Sequence, residues 1–171
     1  MISIARKRLP HISFKVSKIS DISGYQFQNI TSLFHVLNYH TTDEDLTHFL
    51  ESGFRNLVLD GIFCFDFWNI AGVKREPPTS RVVKMEKNDI KISRRSTPVL
   101  IGDDLIKVKF HFQISGSHQK SFREEHLLRA YDKDLIYKVA KKIGFKKIEF
   151  YTWLTDKPLN DAWYGYCVCE K

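Results

Sequence analysis

The chain predicts an α/β fold, and three stretches carry that prediction. Residues 30–69 run as apolar strand, loop, capped helix, Asp-Gly turn and buried strand. Residues 106–112 alternate apolar and polar side chains, and residues 132–145 hold a capped amphipathic helix closed by Gly144 and Phe145. A helix between two apolar strands is the unit of a parallel sheet, whereas a period of two marks an antiparallel strand with one wet face.

Each element has a local reason. Residues 30–34 are apolar except for Thr31 and Ser32, as expected of a strand covered on both faces. Thr41 or Thr42 caps a helix over 43–56, with Asp43, Glu44 and Asp45 in its first turn, where the helix dipole favours negative charge. Leu46, Phe49, Leu50, Phe54 and Leu57 recur at helical spacing as one buried stripe. Asp60-Gly61 predicts a tight turn, followed by a short buried strand over 62–65 that ends at Asp66. Pro77-Pro78 breaks this rhythm. From Arg81 to Ile114 the short alternating stretches describe an antiparallel insertion, with turns at Gly102–Asp104 and Ser115–Ser117. In the helix over 133–143, Leu135, Ile136, Val139, Ala140 and Ile143 share a face and Asp132 is the cap. Residues 147–153 and 163–169 are two strands joined by a loop containing Pro158, an antiparallel hairpin that closes one edge of the sheet.

Composition sets the outer limits. A chain of 171 residues, 43% hydrophobic, is enough for one domain with a core, and it has no apolar run of membrane-spanning length. No apolar run follows Arg6, Lys7 and Arg8, which argues against a secretory signal. The three cysteines have no C-x-x-C spacing, and Cys167 and Cys169 fall on one face of a strand. A reducing cytoplasm is the expected setting. The net charge of +7 raises a nucleic-acid reading, but acidic residues are interleaved in most basic stretches. A phosphate-bearing small substrate is an equally simple use of the excess. His11, His40, His48, His111 and His118 show no metal-binding spacing, so no structural metal is expected.

The runs LFHVLNYHTTDEDL, DGIFCFDFWN, IKISRRS and FREEHLLRAYDKDLIYKVAKKIGFKKIEFY, with the closing WYGYCVCEK, together resemble the class I S-adenosylmethionine-dependent methyltransferases. The likeness is greatest to small-molecule members with an antiparallel lid. It implies an incomplete Rossmann-like sheet, an antiparallel β insertion over 77–120 acting as a lid, and the C-terminal hairpin, all in a single domain over 1–171. On this plan MISIARKRLPHISF corresponds to a helix leading into a strand at 12–16. No glycine-rich turn follows an apolar strand anywhere in the sequence. The expectation is therefore a truncated chain, corresponding to the C-terminal part of the fold, that by itself binds cofactor weakly and is inactive. Residues 1 to about 25 are expected to pair with the strand at 30–34, to be supplied to a partner chain, or to be mobile. A homodimer through the exposed sheet edge is one form of that expectation.

The resemblance also implies site residues. Ser17, Lys18, Ile19, Phe34 and His35 correspond to cofactor-binding positions, although Lys18 and Gln28 stand where acidic residues are usual. In open α/β sheets ligands sit beyond the carboxyl ends of the strands, which points to His35, Asp66, Trp68 and Asn69. His35 is the candidate base, its ring suited to taking a proton near neutrality. Asp66, Trp68 and Asn69, with Glu125, His126 and Arg129, are the candidate substrate-binding residues. Asp66 either holds a substrate hydroxyl or ammonium or caps a turn, and Trp68 either stacks on substrate or packs in the core. Glu125 and Arg129 border the substrate or serve structural salt bridges. His126 and Arg129 share a face only if their stretch is helical. The leading functional reading is methyl transfer from S-adenosylmethionine to a small molecule, such as a sugar or an amine. The alternatives are a non-catalytic remnant or interaction module of the same fold, and a basic nucleic-acid-binding domain.

Overall fold

The structure, a computed structural model, describes residues 2–117 and 119–171; Met1 and His118 lie outside the described residues. Among the described residues there are two four-stranded sheets. The first contains β1 (Phe27–Ser32), β2 (Leu57–Trp68), β7 (Lys147–Thr152) and β8 (Tyr164–Glu170), in the order β1-β2-β8-β7. The second contains β3 (Arg81–Lys87), β4 (Ile90–Ile101), β5 (Leu105–Ser115) and β6 (Lys120–Arg129), antiparallel throughout and in chain order.

Strands β1 and β2 are parallel, and α2 (Asp43–Arg55) crosses between them. Thr42 caps α2 by a full capping box: its hydroxyl accepts from the Asp45 N–H, and Asp45 returns a bond to the Thr42 N–H. Leu46, Phe49 and Leu50 are fully buried on its inner face. Helix α4 (Lys133–Ile143) is capped by Asp132 and ends at Gly144, whose φ of 118° suits glycine. A Cβ there would come within 3.3 Å of the Phe54 ring, so the same glycine lets α4 approach α2. The lysines of α4 are all exposed. Phe49, Phe63, Phe65 and Phe145 form the centre of the main core, with Cys167 and Cys169 behind them.

Three sequence expectations need correction. Asp60-Gly61 does not end a strand. β2 runs through it, and pairing with β1 jumps from Phe27–Leu57 to Asn29–Ile62, so the left-handed Asp60 (φ 58°) sits in a bulge. The carboxyl-terminal residue holds that bulge, with Asp60 N–H donating to Lys171 O and Lys171 N–H to Gly61 O. Residues 12–16 are irregular and pair with no strand, because among the described residues β1 has β2 as its only neighbour. Of residues 1–25, those described form α1 (Ile2–Arg8), which buries no side chain, and a short turn at Ile19–Asp21. The first strand spans 27–32 rather than 30–34, because the chain turns away at Leu33.

The second sheet extends through Arg129 and joins the first at its carboxyl end. Trp68 O accepts from Tyr131 N–H, and Tyr131 O accepts from Ile70 N–H at the start of α3 (Ile70–Arg75). A second apolar cluster of Val73, Ile106, Val108, Leu128 and Ala130, flanked by Trp68 and Trp163, fills the junction. Among the described residues no helix is long and apolar enough to cross a membrane.

Candidate functional site

The turn after β1 is the centre of the site. Phe34 and His35 both hold left-handed backbone angles, φ 66° and 62°. Such angles are uncommon outside glycine and persist where the surroundings enforce them. Here the enforcing group is Asp66, 1% exposed near the carboxyl end of β2, whose two carboxylate oxygens accept from the His35 main-chain N–H at 3.0 and 3.1 Å. His35 Nδ1 also lies 2.9 Å from Asp66 Oδ2, close enough for electrostatic attraction but without hydrogen-bond alignment. The ring stacks on Tyr164 at 5.2 Å and lies tilted against Trp68 at 5.8 Å. Phe34, 85% exposed, projects from the same turn as a fixed apolar face.

A cavity of about 480 Å³ opens between this turn and the second sheet. One wall is His35, Trp68 and Tyr164; the opposite wall is Arg94, Phe110 and His126. His126 Nδ1 is hydrogen-bonded to the Tyr39 hydroxyl at 2.9 Å, and its other ring nitrogen lies 3.6 Å from Glu124. Arg94 sits 5.4 Å above the Phe110 ring, and His126 meets the same ring edge-on. Four buried side-chain nitrogen or oxygen atoms among the described residues lack a hydrogen-bond partner, and three of them, His35 Nδ1, Trp68 Nε1 and Arg94 Nε, belong to residues lining this cavity. Among the described residues no cluster of three His, Cys, Asp or Glu is gathered to hold a metal ion.

The structure brings Phe34, His35, Trp68 and His126 around one cavity, with Asp66 directly behind His35. It does not bring the other candidates there. Asn69 is buried, accepts from Ala71 N–H and donates to the carbonyls of Asn160 and Ala162, which consumes its amide in fixing a loop. Residues 120–129 form a strand, so His126 and Arg129 face opposite ways. Arg129 is tied to Asp43 and Asp104, both at 2.7 Å, which together hold its guanidinium above the usual value. Glu125 lies on that outer face beside Lys109. Ser17, Lys18 and Ile19 lie near the amino end of β2: Ile19 packs on the main core, and Ile22 O accepts from Asn56 just before β2 begins. They are therefore a strand-length away from His35.

Sequence reasoning missed Tyr39, Arg94, Phe110 and Tyr164. Arg94 and Phe110 had a signal in the strand alternation, which fixes the face of a sheet but not what that face covers. Buried Asn38 was missed as well. It donates to Arg129 O and accepts from Trp68 N–H, thereby tying the turn to both sheets.

No protein-family profile and no curated protein matches the chain. Solved structures do. An S-adenosylmethionine-dependent methyltransferase from Clostridium acetobutylicum superposes with a TM-score of 0.81 at 19% identity, over 99% of this chain and 70% of that one. An amino pentose methyltransferase from Micromonospora echinaspora gives 0.77 at 15%, over 99% and 69%. A sugar N-methyltransferase from Streptoalloteichus gives 0.79 at 17%, over 99% and 66%. The parallel β1-β2 pair, the antiparallel insertion and the closing hairpin together are the class I S-adenosylmethionine-dependent methyltransferase fold, and this chain has that fold.

Proposed function

We propose that the cavity is the acceptor side of a site that moves a methyl group from S-adenosylmethionine to a small molecule, of which an amine-bearing sugar is the first class to test. The observation that carries this reading is the aromatic cavity at the carboxyl ends of β1 and β2, which gathers His35, Trp68, Tyr164 and His126 around one space. In the proposal His35 is the base. The Asp66 carboxylate beside Nδ1 favours a proton on that nitrogen, which leaves Nε2 to take the proton that the acceptor loses as its bond to the methyl carbon forms. Trp68 and Tyr164 position the acceptor, and the second sheet roofs the cavity as a lid.

The residues present fit one wall of the cofactor. Phe34, exposed on a turn that Asp66 locks, offers an apolar face at the end of β1, and His35 follows it. When bound, the cofactor supplies an electrophilic sulfonium methyl group. The remaining contribution of the protein is positioning and the exclusion of water.

The test uses the full chain with millimolar S-adenosylmethionine bearing a labelled methyl group and a panel of amino sugars and simple amines. Transfer to one of them, together with a shift of the Trp68 indole N–H signal on adding that acceptor alone, supports the reading. Neither transfer nor any perturbation of Trp68 overturns it.

A further inference from the structure

We propose that residues 2–18 form an arm that binds an anionic lipid surface. None of them lines the cavity, so this goes beyond the methyl-transfer reading and does not depend on it. Residues 1–20 hold five of the chain's 27 lysines and arginines and none of its 20 aspartates and glutamates, and thus carry +5 of a net charge of +7. In the rest of the chain the two signs nearly balance. The first acidic residue is Asp21. Arg6, Lys7, Arg8, Lys15 and Lys18 are all exposed, and the one side-chain hydrogen bond that they make among the described residues, from Arg6 to Phe14 O, stays within the arm.

The arm is apolar as well as basic. Ile4, Leu9, Ile12 and Val16 are exposed, Val16 to 81%, and α1 buries no side chain. The main-chain bonds from Leu9 to Ala5 and from Ile12 to Leu9 also close within the arm. The chain is anchored only after it, where Ile19 packs on the main core and Asn56 donates to Ile22 O. Cations interleaved with exposed aliphatic side chains, and free of acidic residues, suit the boundary of a bilayer: the cations meet anionic headgroups while the aliphatic groups leave water. A nucleic acid would take up the cations on its phosphates but offers aliphatic side chains little to bury against. The arm also lacks tyrosine and tryptophan for stacking on bases, and its one aromatic side chain, Phe14, is half-buried.

The experiment floats the full chain with vesicles of pure phosphatidylcholine, or of phosphatidylcholine with about one-third phosphatidylglycerol, at about 0.1 M and about 0.5 M salt. Binding is expected to the anionic vesicles alone and to weaken at the higher salt. Arg6→Gln, Lys7→Gln and Arg8→Gln combined should weaken it about tenfold or more. Leu9→Ser, Ile12→Ser and Val16→Ser combined should weaken it about fivefold or more at unchanged charge. Lys138→Gln, Lys141→Gln and Lys142→Gln combined remove the same charge from the exposed face of α4 and should leave binding unchanged. Because all these side chains are exposed, each variant is expected to unfold at the parent's denaturation midpoint, which separates lost binding from lost folding. No binding to anionic vesicles, or an equal loss in the α4 variant, overturns the proposal. So does tighter binding of a DNA or RNA duplex that the three serine substitutions leave unchanged, which would make the arm a nucleic-acid contact instead.

Discussion

At Asp66 a single carboxylate has two tasks: it accepts the His35 main-chain N–H and lies beside the His35 ring. Asp66→Asn keeps the shape but removes the charge. It is expected to destabilise the chain by about 1–3 kcal/mol in chemical denaturation, because the left-handed turn loses the group that holds it. His35→Ala leaves the main-chain bonds in place. Under the proposed chemistry it lowers kcat by about 10²- to 10⁴-fold with little change in cofactor affinity, measured by steady-state kinetics; unaltered kcat assigns the ring to structure. These residues were legible in the sequence because they stand where strands end. Ligands collect there for a topological reason, and Ile-Phe-Cys-Phe-Asp-Phe-Trp fixes that end sharply. Arg94 was not legible because its partner Phe110 lies across a ladder whose register the sequence does not state, and Tyr39 because its partner His126 comes from a distant strand against the turn at Leu37–Tyr39.

Elements with local signals were read well, and elements held by distant partners were not. The capping residues and amphipathic faces of α2 and α4 are chemistry within one helix, and both boundaries follow from it. Thr42→Ala removes one arm of the capping box and is expected to lower stability by about 0.5–2 kcal/mol, seen as a shifted denaturation midpoint at unchanged slope. Asp60-Gly61 has an equally strong local signal for a turn, but the ladders to β1 and β8 and the bond to Lys171 carry the strand through it. The short α3 depends on close approach. A Cβ on Gly72 would lie 2.6 Å from main-chain atoms of Ala162 and Trp163. Gly72→Ala therefore is expected to cost about 1–3 kcal/mol in chemical denaturation and to shift the Trp163 indole N–H signal.

For the whole molecule, His40 and Asp45 are among the groups that make stability fall with acid. Burial lowers the pKa of His40, whose ring packs 5.1 Å from Phe49, so the unfolded chain binds its proton more readily than the folded one. That contribution is complete above the ordinary histidine range and is lost as pH falls below it. Asp45 is held below its ordinary value by its bonds to Thr42, and its contribution is lost only at lower pH, as the carboxyl of the folded state protonates. Thermal melting between pH 8 and pH 5 is expected to show a decline that His40→Gln reduces. The hairpin of β7 and β8 has a consequence for kinetics. Cys167 and Cys169 are fully buried on β8, which is bonded on one side to β2 and on the other to β7, and burial raises the Cys167 thiol well above its ordinary range. An alkylating reagent has no path to them until that strand leaves its place, whereas half-buried Cys64 is less protected. The rate of modification at Cys167 and Cys169 thus serves as an internal clock for the exposure of the buried face of β8, with half-buried Cys64, which reacts without that step, as the reference.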